Sequence, residues 1–179
     1  MPAVYQDAAR AVGALLAERG IGLVFGGGAV GLMGIVADAA LAGGAEVIGV
    51  IPEKLRAREL DHKGCTELHI VDGMHTRKKM MMDLADGFIA LPGGYGTMEE
   101  LFEATTWAQL NYHMHPVGML NVDGFFDPMV AWIERATKDG FIRPEHQGLV
   151  QVDSSPSALL DKMATAVVPD LEGWLPAEQ

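Results

Sequence analysis

The sequence predicts a Rossmann-like α/β fold, a single domain in which a doubly wound parallel sheet is flanked by helices. Short apolar runs alternate with segments of helical periodicity along the whole chain, which is the pattern of repeated strand–helix units. Glycine-rich segments directly follow two of the apolar runs, at residues 26–28 and 93–96. With 179 residues, of which 49% are hydrophobic, the chain is long enough to bury one sizeable core.

The elements of the first half follow from these patterns. Val4, Ala8 and Leu15 share one face of a helix that Gly20 ends, and Pro52 stops an apolar strand. The predicted elements are a helix over 4–20, a strand over 21–25, a helix up to about residue 41, a strand over 46–51, a polar loop with a helical turn over 53–64, a strand over 66–71 and a helix over 73–85.

The second half repeats the alternation. The predicted elements are a strand over 88–91, a helix over 97–110, a strand over 116–120, a helix over 126–138, a strand over 149–152 and a helix over 157–167, with Ser154 or Ser155 near the last cap. We assign residues 1–168 to the domain and 169–179, which contain Trp174, to a peripheral tail. Because βαβ units usually begin with a strand and this order begins with a helix, we expect a first strand to be missing before Met1.

The acidic composition argues against two classes of partner. A formal net charge of −11 disfavours binding to nucleic acid or to an anionic membrane surface. No signal peptide and no apolar run long enough to cross a bilayer is visible, and the single cysteine, Cys65, excludes an internal disulfide framework. We therefore expect a cytoplasmic protein in which Cys65 is a packing residue rather than a nucleophile.

The segment from Leu91 to Glu100 predicts an anion site. An apolar strand stops at Pro92, three glycines follow within four residues, and a helical pattern begins at Thr97. The N–H groups and the dipole of a helix N-terminus attract phosphate, and glycine lets the backbone approach it closely. The alternative is purely structural, since Thr97-Met98-Glu99-Glu100 also fits a capping box with Thr97 as N-cap and Glu100 at position N3.

The earlier glycine segment is a weaker signal. Gly26-x-Gly28-x-x-Gly31 fits the dinucleotide fingerprint, and Glu46 lies about where the ribose-binding acid is expected. So many glycines give several chance registers, so we favour a general nucleotide-binding loop over binding of NAD. The structural alternative is a tight turn with close packing of helix on strand.

The helix over 73–85 carries a cation on its apolar side. Its apolar stripe consists of Met74, Met81, Met82 and Ala85. Arg77 and Lys78 fall on or beside this stripe, whereas Lys79 can pair with Asp83 on the solvent side. A buried cation is costly unless it meets an anion, so Arg77 is predicted to face a bound phosphate. The alternatives are that Arg77 snorkels to solvent or pairs with a structural carboxylate.

No metal site is predicted. His113-x-His115 has no evident third ligand, and helical geometry near the end of the long helix is expected to splay the two rings. The methionines at 80–82 have the helical spacing of core residues. Neither a Gly-x-Ser-x-Gly elbow nor a Walker-type Gly-Lys-Ser/Thr occurs in the sequence.

Two motifs together carry a family resemblance. They are Met74-His75-x-Arg77-Lys78 and Pro92-Gly93-Gly94-x-Gly96-Thr97-x-x-Glu100. This combination resembles the signature of the Lonely guy (LOG) family of cytokinin riboside 5′-monophosphate phosphoribohydrolases, which are often mislabelled as lysine decarboxylases. The resemblance runs over nearly the whole chain, including residues 24–28, 31–34, 47–52 and 106–110. Family members begin with a strand and a Gly-Ser-Ser-type loop, both of which this sequence lacks, and lysine decarboxylation would need a pyridoxal phosphate site that we do not find.

The resemblance implies site residues position by position. It implies that Arg77 and Glu100 are the catalytic pair. The substrate-binding residues that it implies, together with the two that the first glycine loop contributes, are Glu59, Arg77, Lys78, Gly93, Gly94, Tyr95, Gly96, Thr97, Met98, Glu99, Glu100, Thr106, Gly27 and Gly28.

The implied reaction is hydrolysis of the N-glycosidic bond of an N6-substituted AMP to the free base and ribose 5-phosphate. Such a bond breaks through an oxocarbenium-like transition state, which Glu100 would stabilise unless it contacts the ribose hydroxyls instead. Arg77 would hold the substrate through its phosphate or ribose. The resemblance further implies a homodimer or a dimer-based hexamer, with the long helices at the interface and no cofactor. The alternatives are a nucleotide-binding module without turnover and a broader AMP nucleosidase.

Overall fold

The computed structural model describes residues 1–57 and 61–169. The chain forms two compact units, one over Met1–Ala85 and the other from Asp86 onward. Each unit contains a parallel three-stranded sheet with helices around it. The predicted α/β class with parallel strands is therefore confirmed.

The first unit places three loops at one edge of its sheet. Its elements are α1 (Ala3–Glu18), β1 (Leu23–Phe25), α2 (Gly31–Ala42), β2 (Val47–Pro52), α3 (Glu53–Arg56), β3 (Glu67–Val71) and α4 (Met74–Leu84). Strand β2 lies between β1 and β3, with Leu23 opposite Val47 and Ile48 opposite Glu67. Because the strands are parallel, the segments that follow their carboxyl ends meet at the same edge.

Helices α1 and α2 pack closely through a glycine. A Cβ atom on Gly13 would lie 2.4 Å from the carbonyl oxygen of Val36 and 2.8 Å from the Cβ of Ala39. Only glycine therefore allows this separation of the two helices. The apolar face predicted for α1 is wrong in part. Val4 is 42% exposed and Ala8 and Leu15 are only half-buried, whereas Ala9, Val12 and Leu16 are buried.

Cys65 belongs to the core of the first unit. It packs, partly buried, against the cluster formed by Phe25, Ala37, Ala40 and Val47. Burial raises the pKa of the Cys65 thiol, which disfavours the reactive thiolate. The predicted packing role is confirmed.

The second unit repeats the strand–helix pattern. Its elements are β4 (Phe88–Ala90), α5 (Tyr95–Gln109), β5 (Val117–Leu120), α6 (Asp127–Lys138), β6 (Val150–Asp153) and α7 (Pro156–Thr165). Strand β5 lies between β4 and β6, and all four of its residues are buried. A Cβ on Gly118 would lie 2.6 Å from the sulfur of Met163, so glycine in β5 lets α7 pack directly on the strand.

The helices of the second unit differ from the sequence prediction where a helix follows a glycine-rich loop or is very short. Helix α5 begins at Tyr95, two residues before the predicted Thr97. Short 3₁₀ helices at Val122–Gly124 and Pro144–Leu149 were not predicted, because such short helices show no periodicity. The predicted cap of the last helix is confirmed at Ser155, whose hydroxyl accepts the N–H of Ala158 at 3.4 Å.

The chain after α7 returns to the end of α5. Val168 is buried in a cluster with Ala108 and Leu149. The side-chain amide of Asn111 donates to the carbonyl oxygen of Pro169 at 3.0 Å. The tail predicted from residue 169 onward, including Trp174, otherwise lies outside the described residues.

Candidate functional site

The first glycine loop joins β1 to α2 and needs glycine for its shape. Gly27 and Gly31 both have φ of +70°, a left-handed conformation that side chains disfavour. A Cβ on Gly27 would also lie 3.1 Å from the Cβ of Ile51 in β2. The loop is therefore a tight turn held close to the sheet, and the close packing weighed as the structural alternative is present.

The position of Glu46 contradicts the dinucleotide interpretation. Glu46 directly precedes β2, whereas the glycine loop follows the carboxyl end of β1. Leu23 and Val47 pair at the amino ends of these parallel strands, so Glu46 lies at the opposite end of the sheet from the loop. Because Phe25 pairs with Gly49, about four residues of extended chain, or about 13 Å, separate Glu46 from the start of the loop, which is too far for the expected ribose contact.

Arg77 is buried against the first residue of this loop. It is the only buried residue of α4 among those described, with 8% of its surface exposed. A Cβ on Gly26 would lie 1.7 Å from Nη2 of Arg77 and 2.8 Å from its Cζ, so the guanidinium occupies the space of a side chain at Gly26. Nη1 of Arg77 also contacts the sulfur of Met74 at 3.9 Å. The predicted burial of Arg77 is confirmed.

The rest of α4 agrees with the predicted faces in part. Lys79 pairs with Asp83 at 2.5 Å on the exposed side, as predicted, and Lys78 is half-buried. Met74, placed on the apolar stripe, is instead 44% exposed, because it begins the helix and has no preceding turn to pack beneath.

Two buried residues near the loop were missed by sequence reasoning. Asp61 forms an antiparallel bridge with Gly28, and the N–H of His62 donates to the carbonyl oxygen of Gly27 at 2.8 Å. Both side chains are buried, although the segment over 53–64 is polar and shows no periodic pattern. No sequence signal marked these residues, since the bridge joins backbone positions far apart in the chain.

Asp61 is held by cations. Lys63 Nζ donates to its two carboxylate oxygens at 2.9 and 2.7 Å, and Arg56 Nε lies 3.9 Å away. The hydrogen bond from Lys63 lowers the pKa of the Asp61 carboxyl against the opposing effect of burial. Asp61 is therefore an ionised, buried carboxylate beside the glycine loop. Glu59, which the family resemblance adds to the site, lies outside the described residues.

The second glycine loop joins β4 to α5 and leaves the start of α5 without a side-chain cap. Gly94 is the N-cap residue, and the N–H of Met98 makes the first helical bond, to the carbonyl oxygen of Gly94 at 3.1 Å. The predicted capping box is wrong, because Tyr95 and Gly96 are already helical and Glu100 falls in the second turn. The N–H groups of residues 95–97 consequently point out of the helix start with no intrahelical acceptor.

Gly93 shapes this loop through contact with Thr97. A Cβ on Gly93 would lie 2.1 Å from Oγ1 of Thr97, so the threonine side chain folds back over the glycine backbone. Tyr95, the first helical residue, is 97% exposed. The outward N–H groups, the helix dipole and the exposed glycine backbone are the features of a phosphate site.

Two predicted site residues on α5 lie on different faces. Glu100 is half-buried in the second turn, and Thr106 is exposed. They are six positions apart in the chain, which puts their directions about 120° apart around the helix axis. Thr106 also lies about 16 Å along the axis from the helix start, so it would have to contact another part of a ligand than the phosphate.

The histidine pair has another arrangement than predicted. His113 and His115 follow α5 instead of lying on it, and their rings stack with centroids 5.4 Å apart and an interplanar angle of 17°. The splayed geometry predicted for a helix is therefore wrong. Nε2 of His113 lies 3.0 Å from the carbonyl oxygen of Ala104, and burial lowers the pKa of His113. Among the described residues, no group of three His, Cys, Asp or Glu side chains could hold a metal ion.

Among the described residues, no helix is long and apolar enough to cross a bilayer.

The chain is similar to a known protein family and to named plant proteins. The family model described as "Possible lysine decarboxylase" matches residues 33–163. The chain is 54% identical over 148 residues to cytokinin riboside 5′-monophosphate phosphoribohydrolase LOG of Oryza sativa subsp. japonica, covering 83% of this chain and 61% of that protein. It is 45% identical over 175 residues to the phosphoribohydrolase LOG1 of Arabidopsis thaliana, covering 98% of this chain and 78% of that one. The chain thus spans about three fifths of the length of the rice relative.

Solved structures with the same fold carry another name. A molybdenum cofactor binding protein from Rippkaea orientalis matches with a TM-score of 0.70 and 21% identity, covering 92% of this chain and 88% of that chain. The molybdenum cofactor carrier protein of Chlamydomonas reinhardtii matches with a TM-score of 0.67 and 20% identity, covering 93% and 91%. At such identities the likeness shows the fold alone.

Proposed function

The chain belongs to the LOG family, covered by the model described as possible lysine decarboxylase, and we propose that it hydrolyses the N-glycosidic bond of N6-substituted adenosine 5′-monophosphates. The products would be the free base and ribose 5-phosphate. The observation that carries the proposal is the buried guanidinium of Arg77 against the glycine loop at Gly26. A cation that a protein buries at a glycine loop is suited to an anionic ligand.

The phosphate would bind at the start of α5. The N–H groups of residues 95–97 offer donors there, and no acidic residue stands in the first turn to repel an anion. This local site would let a protein with a net charge of −11 hold a phosphate. Arg77 would add a planar pair of donors for the phosphate or the ribose and so fix the attack geometry.

Glu100 would act on the sugar. Cleavage moves the electrons of the C1′–N bond to the base nitrogen, which takes up a proton, while the oxygen of water bonds to C1′ and completes ribose 5-phosphate. Positive charge develops at C1′ on the way, and a carboxylate nearby lowers the energy of that state. Because the helix dipole fades beyond the first turn, Glu100 in the second turn would act mainly through its own charge.

The direct test is to incubate the protein with N6-isopentenyladenosine monophosphate and to measure the released free base by chromatography. We expect release from this nucleotide in preference to AMP, and equal rates on both would indicate the broader AMP nucleosidase. Binding of nucleotide without any release would support instead a binding module without turnover.

The catalytic pair can be tested with matched controls on the same helices. We expect Arg77→Ala to lower kcat/KM by at least about 100-fold, as loss of a positioning charge does. Lys79→Ala, two residues along α4 and exposed, should leave kcat/KM unchanged. If Arg77→Ala and Lys79→Ala have equal activity, the role of Arg77 is wrong.

Glu100→Gln tests the charge at the sugar. We expect kcat to fall by about 100-fold or more with a much smaller change in KM, because the carboxylate acts on the transition state. Glu103→Gln, one turn further along α5, is the control. A rise in KM alone would instead assign Glu100 to the ribose hydroxyls.

The same proposal includes a homodimer that uses α5. Phe102 of α5 and Trp132 of α6 are partly exposed, and their rings meet edge to face with centroids 5.7 Å apart. Aromatic residues are enriched in protein interfaces relative to the rest of the surface. Light scattering should give the mass of a dimer or a multiple of it, and Trp132→Glu should lower that mass. A monomeric wild-type protein would contradict the dimer. The predicted cytoplasmic location stays a prediction.

A further inference from the structure

His62 is attached to both sides of the first glycine loop. Its ring meets the ring of Phe25, the last residue of β1, edge to face with centroids 6.0 Å apart. Its Nε2 lies 3.0 Å from a carboxylate oxygen of Asp38 in α2, the helix that follows the loop. Its main-chain N–H binds the loop itself, at the carbonyl oxygen of Gly27. One buried residue thus contacts the strand before the loop, the loop and the helix after it.

The hydrogen bonds of the ring fix its tautomer. The N–H of Gly64 donates to Nδ1 of His62 at 3.2 Å, so Nδ1 must carry a lone pair. The proton therefore sits on Nε2, which donates to Asp38. Both ring nitrogens are used, and the side chain is only 8% exposed, which leaves the ring little freedom to move.

The loop that His62 holds is the surface on which Arg77 lies. Gly26 contacts the guanidinium of Arg77. Its two neighbours in the chain, Phe25 and Gly27, are both contacted by His62. A shift of this backbone would move the wall against which Arg77 packs. Positional errors of about 1 Å at a group that orients a substrate can cost about 100-fold in rate.

We propose that His62 is a positioning residue, which sets the place of Arg77 by fixing the Gly26–Gly28 backbone between β1 and α2. This proposal rests on the proposed function only in the experiments that measure kcat/KM. Nothing in the family motifs that identify this chain includes His62 or Asp38. The role predicts that removing the ring or its anchor changes nucleotide handling through Arg77 and not through overall stability.

The first experiment removes the exposed anchor. The Asp38 side chain is 75% exposed, so Asp38→Ala removes the contact to Nε2 without opening the core. We expect kcat/KM for N6-isopentenyladenosine monophosphate to fall about fivefold, the size that one hydrogen bond supports. Asp38→Asn keeps an acceptor and should retain wild-type activity. Asp7→Ala removes a similarly exposed carboxylate, paired with Arg10 in α1, and should change nothing.

The second experiment removes the ring. His62→Ala should lower kcat/KM by about 30-fold or more, while His62→Asn, which can still accept from the N–H of Gly64, should lose less. His146→Asn is the matched control, because His146 is as buried and bonds Gln109. It should lower Tm without lowering kcat/KM.

A double-mutant cycle separates positioning from simple destabilisation. In an Arg77→Ala background, His62→Ala and Asp38→Ala should cost less than twofold, because the group that they position is absent. The same fold-loss in both backgrounds would overturn the proposal, as would wild-type kcat/KM in His62→Ala.

Hydrogen exchange gives a readout that needs no turnover. The amides of residues 26–31 should exchange at least about tenfold faster in His62→Ala and faster in Asp38→Ala, while those of α7 stay as in the wild type. If the wild-type protein releases no base, the proposed function fails, and the cycle is then measured as the Kd of AMP. If it does not bind AMP either, unchanged protection of residues 26–31 in both variants overturns the inference and faster exchange supports it.

Discussion

Gly26→Ala would place a methyl group inside the guanidinium of Arg77. The added Cβ would lie 1.7 Å from Nη2, whereas ordinary contacts begin at 3.4 Å, so the nitrogen must retreat by about 1.7 Å. Gly26 is not among the glycines of left-handed φ, so its backbone can accept alanine. The strain is therefore relieved at the flexible end of Arg77 and not in the loop.

The expected cost falls on activity. At about 100-fold for a misplacement of 1 Å, a retreat of about 1.7 Å should lower kcat/KM for N6-isopentenyladenosine monophosphate by at least 100-fold, or about 2.7 kcal/mol. The free energy of unfolding should change by less than about 1 kcal/mol, because the clash is with a movable side chain. Steady-state kinetics and urea unfolding of the same preparation measure the two effects.

Gly148→Ala is the matched control. An added Cβ there meets no atom within 4 Å, and Gly148 also lies outside the left-handed region. Its activity should equal that of the wild type. The reasoning fails if Gly26→Ala keeps kcat/KM within twofold of wild type, or if it lowers activity only in proportion to lost folded protein.

Three further changes test separate parts of the structure. Gly27→Ala should lower the free energy of unfolding by about 1–3 kcal/mol, because φ is +70° and the new Cβ would lie 3.1 Å from Ile51; an unchanged urea midpoint would contradict this. Gly93→Ala would place a Cβ 2.1 Å from Oγ1 of Thr97, so it should raise the KM of the nucleotide about tenfold by displacing the start of α5, and an unchanged KM would rule out phosphate at this loop. His113 has a lowered pKa, so the unfolded chain binds more protons below about pH 6.5; stability present above that pH is lost as pH falls towards the folded pKa. His113→Gln should flatten this loss in urea titrations between about pH 5 and 7, and identical slopes would refute it.

Local patterns predicted most of the fold. Apolar runs bounded by glycine and proline marked β1, β2, β4 and β5, and the i, i+4 spacing placed Lys79 opposite Asp83. The start of α5 was misplaced because Thr97 and Glu100 match a capping box at the level of sequence. Because Gly94 occupies the N-cap position, the helix begins before Thr97. The residues from Thr97 to Glu100 have the spacing of a capping box but do not form one. The two short 3₁₀ helices were not predicted, because they are too short to show a periodic pattern of apolar residues.

The candidate site shows that local sequence patterns predict which face of a helix is buried but not which distant residue it contacts. Helical spacing was enough to predict that Arg77 is buried, because burial of a face is a property of one helix. It could not show that Gly26 receives the guanidinium, since that contact joins residues about 50 positions apart. Asp61 and His62 gave no signal at all, although with Arg77 they account for three of the four buried polar or charged residues in the described chain.

These three residues contact three consecutive glycines. Arg77 lies on Gly26, the N–H of His62 binds Gly27, and Asp61 pairs with Gly28. A tight turn alone would account for Gly27 and Gly31, whose φ angles require glycine. It does not account for Gly26, whose backbone could carry a side chain if the guanidinium were absent. The glycine at position 26 is explained by the space that Arg77 needs, so the first loop serves the cation and not only the turn.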